Sequence, residues 1–343
     1  MKDSTGCVGG LHEACVGVPD LATAIAYYER FGCRVGAIGE LDAAAAKALY
    51  GHDSALRSVR LAHQDSDHGL VRLMQWQQPR NAGLGVGPNL RCIGSRWGVR
   101  LTRSVMSIAN HAQRAAELGQ PIHVIEPIMA VIGEVSGERA AQPFIDEFVG
   151  VREMVVLQPH YRQVFFERFG YESPLYGKVN PHCTFQASQH THFGMMIATD
   201  DHQVLRFYDE VLGLCRWFDA ERPYGQATGS RQIFGLERDE THWMVDFDDA
   251  RSGQSLVDRR SGKLKVVRFG SASRIDDRSE QSRPGSLGYS HYTWRCHGID
   301  TLWKRVAAAG ATQVTDVLPD EFGTRAFSFH APDGYSWTLI SAD

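Results

Sequence analysis

Histidine is the residue type in this chain whose placement points most directly to chemistry. There are 15 histidines in 343 residues, and a neutral imidazole can ligate a divalent metal or take a proton near pH 7. Two of them open matching phrases. From His12 the chain reads HEACVGVPDLATAIAYYERFG, and from His192 it reads HFGMMIATDDHQVLRFYDEVLG. Each phrase is an apolar stretch, an acidic turn and a helix signal, with Tyr28 or Tyr208 falling 16 residues after the histidine. Gly32 and Gly213 then end the helices. The seven cysteines are scattered without a CxxC pair, which reads as reduced, buried thiols rather than zinc or redox chemistry. The glycines of GLGVG (83–87) lack the helix signal that a phosphate-cradling loop requires. No Ser-His-Asp set stands out from free choice among the histidines.

A histidine that opens an apolar stretch in each copy must be positioned by a repeated unit, and the rest of the chain shows that unit. A second pair of units begins near Trp97 and near His291, with helices ending in RAAELG (Arg114 to Gly119) and RVAAAG (Arg305 to Gly310). Extended segments follow: RQIFGLE and THWMVDF after the third helix, and AFSFHAPDGYSWTLI after the fourth. Their alternation of polar and apolar positions reads as paired strands. The local order is strand, helix, then about three strands, which makes four modules, two in each half. Long connections at 79–95, 127–149 and 248–288 interrupt the pattern, and loops of that length are lids, binding loops or disordered segments.

The chain is long enough for two domains of ordinary size. Hydrophobic content of 43% and charged content of 22% are those of a globular protein. A formal charge of -4 with no block of like charges gives nothing for nucleic acid or a membrane surface to hold. A small-molecule substrate is therefore expected, with a homodimer among the expected assemblies. The N-terminus has no signal-like apolar stretch and no run approaches a membrane span, so the expected location is cytoplasmic.

The helix-ending glycines, the four βαβββ units and the closing phrase HAPDGYSWTLI together resemble the vicinal oxygen chelate superfamily, which includes glyoxalases, bleomycin-resistance proteins and extradiol dioxygenases. The resemblance implies an α+β fold in which modules pair into two open, cupped, β-barrel-like domains with helices outside. Residues 1–175 form the expected N-terminal pair, without metal, and 189–343 the C-terminal pair with the metal site. It also implies one divalent ion (Fe2+, Mn2+, Co2+, Ni2+ or Zn2+) held by first and last strands. Carried over to this chain, the ligands are His192, Asp246 and His291, two imidazoles and a carboxylate on a rigid sheet. A period of two puts His192, Gly194 and Met196 on the cup face. The position that relatives fill with glutamate after the PDG turn is Thr338 here, and Thr338, Met196 and Trp294 are the expected substrate contacts.

The first half departs further from the pattern. His12 takes the repeat's histidine position, but LVRLMQW offers Arg72 as its last-strand residue, and Glu167 fits only with a slip of two. His12 therefore reads as structural. An alternative pairing, first module with fourth, brings His12 or Glu167 toward His291. The resemblance implies metal-assisted proton transfer through an enediolate, by an isomerase, epimerase or lyase acting on a hydroxy-carbonyl or vicinal-diol compound. Ring cleavage by a dioxygenase and metal-free ligand sequestration are the alternatives. Ser328 stands where the dioxygenase signature has tyrosine, which weighs against ring cleavage. His242, an even number of residues before Asp246, is the expected base, ahead of Tyr335, Tyr292 and His330.

Overall fold

Four times along the chain a strand enters a helical or turned connection, and the module's final strand returns to lie parallel beside it. The computed structural model describes residues 6–87, 90–134, 148–198, 202–227, 229–270 and 274–343. The first module comprises β1 (Gly6–Gly17), α1 (Leu21–Glu29), β2 (Cys33–Leu41), α2 (Ala43–Tyr50), β3 (Leu56–His63) and β4 (Leu70–Trp76). After the short β5 (Cys92–Ile93), the second contains β6 (Arg96–Thr102), α3 (Val105–Glu117), β7 (His123–Glu134), β8 (Phe148–Leu157) and β9 (Arg162–Phe169). The third contains β10 (Ala187–Met196), β11 (Cys215–Pro223), α4 (Ser230–Ile233), β12 (Thr241–Asp248) and β13 (Lys263–Phe269). After β14 (Asp276–Asp277), the fourth contains β15 (Gly288–His297), α5 (Ile299–Ala308), β16 (Leu318–Pro319), β17 (Arg325–His330) and β18 (Ser336–Ser341).

Local sequence explains these elements. Asp20 caps α1 by accepting from Thr23 N at 2.7 Å, and Ser104 caps α3 by accepting from Ser107 N at 3.1 Å. In α3 the buried residues are Val105, Ile108 and Ala112, and in α5 they are Ile299, Leu302 and Val306, the spacing of one helix face. Gly32, Gly119, Gly213 and Gly310 take φ of +85°, +72°, +76° and +79°, the left-handed conformation that closes a helix C-terminus. The third connection, read from sequence as a helix, is a 3-10 turn at His202–Leu205 followed by a π turn at Phe207–Val211.

In every module the first strand lies parallel to the last: β1 on β4, β6 on β9, β10 on β13 and β15 on β18. The free edge of each first strand then pairs antiparallel with another first strand, β1 with β15 and β6 with β10. One eight-stranded sheet therefore joins the first and fourth modules, and the other joins the second and third. This corrects the expected grouping of 1–175 and 189–343 as separately paired halves. Repetition makes each edge equally able to pair, so the repeat alone does not choose the partner.

Two further expectations change in the third module. RQIFGLE is not a strand but α4 and its following turn, and the last strand is KLKVVRF, inside the stretch read as the 248–288 connection. In the 127–149 connection, β7 continues to Glu134 and β8 begins at Phe148, while 135–147 lie outside the described residues.

On the face away from the cups, both sheets share one apolar core that includes Ala14, Val16, Tyr28, Phe193, Met195, Tyr208, Tyr292 and Trp294. Large side chains buried this fully contribute about 1.5–3 kcal/mol each. Tyr292 also ties the sheets together by donating to Gly194 O at 2.6 Å.

Candidate functional site in the cup of the second sheet

Each cup is entered by a segment inserted between the second and third strands of a module. In the first sheet this is α2, whose Ala46, Leu49 and Tyr50 pack on Cys15, Leu56, Met74 and Trp76. In the second it is the stretch around α4, whose Ile233, Phe234 and Leu236 pack on Trp97, Val99, Val267 and Phe269.

The first cup holds a buried ionic network. The Arg72 guanidinium, 0% exposed, donates to Glu13 at 2.7 Å, to Glu321 at 3.1 Å and to Asp320 at 3.2 Å. Arg60 also pairs with Glu13, and Phe322 lies over both guanidinium groups. Burial penalises the Glu13 carboxylate, but Arg72 and Arg60 together hold its pKa well below the usual range. His291 lies opposite Cys15, with its ring 5.4 Å from Tyr50 and its Nδ1 3.0 Å from Ser290 Oγ. Burial, reinforced by Arg72, keeps that imidazole neutral. Thr338 is fully buried and bonds Ser328 Oγ at 2.7 Å.

The second cup combines apolar walls with a polar cluster. Leu101, Val155, Phe166 and Met196 belong to its apolar cluster. On β12 and β13, Asp246 lies 2.9 Å from Lys263 Nζ and 3.4 Å from Lys265 Nζ. The two ammonium groups outweigh the penalty of burial and hold the Asp246 carboxyl well below its ordinary pKa. At Lys263 burial favours the neutral amine, but Asp246 together with Tyr176 and Asp248 outweighs it and raises the pKa, so Lys263 is a permanent cation. His192 Nδ1 is 3.0 Å from Tyr176 Oη, and burial plus the two lysines depress its pKa well below the ordinary histidine value. Burial raises the Tyr176 hydroxyl to about 12. Glu153 shares its β8 face with Val151 and Val155; burial raises its pKa, against the pull of Lys265.

The two cups are related position by position. Arg72 is register partner to Cys15, and Lys265 to Gly194. On either side of them, Val71 and Leu73 of β4, like Leu264 and Val266 of β13, enter the core shared by the sheets. Arg72 and Lys265 therefore stand at the same place in the repeat, and Glu13, not His12, matches His192.

No family model matches the chain, and no curated protein matches it. Solved structures do. The chain aligns over 98% of its length with 86% of a Bacillus subtilis protein assigned as a dioxygenase, at 14% identity and a TM-score of 0.52. It aligns over 97% of its length with 92% of glyoxalase I from Zea mays, at 14% identity and a TM-score of 0.50. A point variant of the maize protein gives 12% identity, coverage of 97% and 93%, and a TM-score of 0.51. The chain has the vicinal oxygen chelate fold.

Within that fold, the expected ligand set does not converge. His192 and Asp246 share the second cup, but His291 is on the other sheet. Among the described residues, no group of three or more His, Cys, Asp or Glu side chains is placed to hold a metal ion. Asp246 belongs to a third strand, and the last-strand position of this vicinal oxygen chelate module is Lys265. The residues present do not fit a resident divalent ion, because the carboxylate that would bind it is already neutralised by two ammonium groups.

The other expected residues separate in the same way. His242 shares the face of Asp246, with Nδ1 3.2 Å from Arg222 O, and burial lowers its pKa to about 4. Met196 is in the wall of the second cup. Trp294 is in the core behind the first cup, donating to Gly9 O at 3.3 Å, and Thr338 is sealed in the first cup, so neither joins the His192 cluster. Tyr292 and Tyr335 donate to the backbone oxygens of Gly194 and Met196 and brace the sheets. His12 Nδ1 is 2.8 Å from Asp67 O, and Glu167 accepts from Val105 N at 3.1 Å, at the start of α3. Lys263, Lys265, Glu153 and Tyr176 went unrecognised from sequence. The signal for the lysines was the period of two in KLKVVRF, which puts both on the face of Val267 and Phe269.

No helix among the described residues is long and apolar enough to cross a membrane.

Proposed function

We propose that this chain is a metal-independent enzyme of proton transfer, an isomerase or lyase acting on a small hydroxy-carbonyl compound in the cup of the second sheet. The observation that carries this reading is the ammonium of Lys265 at the last-strand position, 3.4 Å from Asp246 and partly open to solvent. Glu153 is the assigned base: it removes the proton beside the carbonyl, the C–H electron pair moves into the carbonyl, and the oxygen becomes an oxyanion. Lys265 stabilises that oxyanion electrostatically. For the isomer, Glu153 returns the proton to the former carbonyl carbon while the proton of the neighbouring hydroxyl moves to the oxyanion, so that the carbonyl and hydroxyl exchange places. For elimination, the electron pair re-forms the carbonyl, the bond to the β-hydroxyl breaks, and Glu153 gives its proton to that hydroxyl, which leaves as water. Apolar walls around a polar cluster that includes a carboxyl of raised pKa suit such chemistry.

The test is deuterium wash-in from solvent, followed by NMR on α-hydroxy ketones and β-hydroxy acids with EDTA present. Exchange that survives EDTA and is lost in Lys265→Met and Glu153→Gln supports the reading. Exchange that requires added divalent ion, together with about one ion per chain by elemental analysis, overturns it. A second reading, binding without turnover, is favoured by the insertion of Ile233 and Phe234 into the cup. It is supported if the same compounds bind but show no exchange.

A further inference from the structure

Arg96 is nearly as buried as Arg72, with 2% of its surface exposed, yet its electrostatic surroundings are opposite. Three carboxylates meet the Arg72 guanidinium. Arg96 donates instead to neutral oxygens: Ser282 O at 2.9 Å, Ser282 Oγ at 3.1 Å and Ser336 O at 3.4 Å. Its guanidinium lies 4.5 Å from the centre of the Tyr335 ring, and its Nε has no partner. Removing a guanidinium from water is unfavourable unless a counter-charge offsets the lost solvation.

Arg96 also forms part of the wall of a cavity of about 190 Å³ at the seam between the sheets. The cavity is bordered by Gly94, Ser279, Arg283, Asp333 and Tyr335. Asp333 does not supply the missing charge through a contact: its oxygens accept from Tyr208 Oη at 2.6 Å and Tyr335 N at 3.0 Å. Arg283 is paired with Glu280 at 2.6 Å and remains about one-third exposed. The cavity therefore has a buried guanidinium that no carboxylate contacts directly, a second arginine, and space for a molecule of a few heavy atoms. None of its lining residues belongs to the Lys265 cluster, which makes it a separate site.

We propose that this seam cavity binds a small monocarboxylate, held by Arg96 and assisted by Arg283. A planar carboxylate matches the donor edge of a guanidinium and supplies one negative charge. A doubly charged phosphate is disfavoured by Asp277 and Asp333 on the same walls.

Calorimetric titration of the full chain with acetate, lactate, pyruvate and inorganic phosphate at constant ionic strength tests this. Saturable binding of at least one monocarboxylate is expected at one per chain, with a dissociation constant on the order of 1 mM. Arg96→Gln should weaken it about tenfold and Arg283→Gln about threefold, while Lys265→Met in the second cup leaves it unchanged. Should Arg96→Gln fail to fold, Ser279→Phe, which fills the cavity, must abolish binding. No saturation by any of the three carboxylates, preference for phosphate, or binding that survives both Arg283→Gln and Ser279→Phe overturns the proposal. So does binding that disappears with Lys265→Met.

Discussion

Arg72 and Lys265 stand at the same position of the repeat, Arg72 as register partner to Cys15 in the first sheet and Lys265 to Gly194 in the second. Each puts a basic side chain at the last-strand position of its module. The first cup neutralises its cation within the protein and is sealed. The second leaves Lys265 partly exposed beside Glu153.

Arg72→Met should destabilise the protein by roughly 3–5 kcal/mol, because it leaves Glu13, Asp320 and Glu321 buried without their cation. Urea denaturation measures the loss. A change below 1 kcal/mol would mean that these carboxylates take up protons or water at little cost.

Asp246→Asn should cost less, about 2 kcal/mol, because Lys263 and Lys265 retain some access to water. Asp246 has a depressed folded pKa, so its contribution is complete above the ordinary carboxylate value of about 3.9 and declines as pH falls below it. The difference between wild type and Asp246→Asn should therefore be constant from pH 5 to 8. A difference that varies within that range would assign the pKa shift to another group.

Acid should unfold this protein through its histidines. Burial lowers the pKa of His12, His63, His242 and His330 to about 4, and shifts His190, His192 and His291 down as well. The unfolded chain binds protons at these sites below its ordinary value of about 6.5, whereas the folded chain does not. Stability is full above that value and falls as pH drops toward 4. The dependence of unfolding free energy on pH at pH 5.5 should correspond to an uptake of at least three protons, as an estimate of about one per fully depressed histidine. An uptake below one would contradict the buried, neutral assignment.

His192 should show no titration of its ring signals from pH 5 to 8 in the folded protein. In Lys265→Met its pKa should rise, since one of the cations that depress it is gone. Two-dimensional NMR of the imidazole nitrogens follows this, and an unchanged value in the variant would leave burial and Lys263 as the causes.

The repeat and its helix-ending glycines could be read from the sequence because local physics marks them, and the cupped α+β fold was implied by the family resemblance that they carry. A left-handed turn favours glycine, a strand shows a period of two, and an amphipathic helix shows one apolar face, as at Val105, Ile108 and Ala112. His192, Met196, His242 and Asp246 were likewise placed on the face that becomes the second cup. Tertiary structure decided which free edges pair, so His291 went to the other sheet and Asp320 and Glu321 of the fourth module met Arg72 of the first. It also exposed KLKVVRF as the closing strand, putting Lys263 and Lys265 beside Asp246. Those outcomes depend on contacts between distant segments with similar local preferences, and local preference cannot choose among partners that satisfy it equally well.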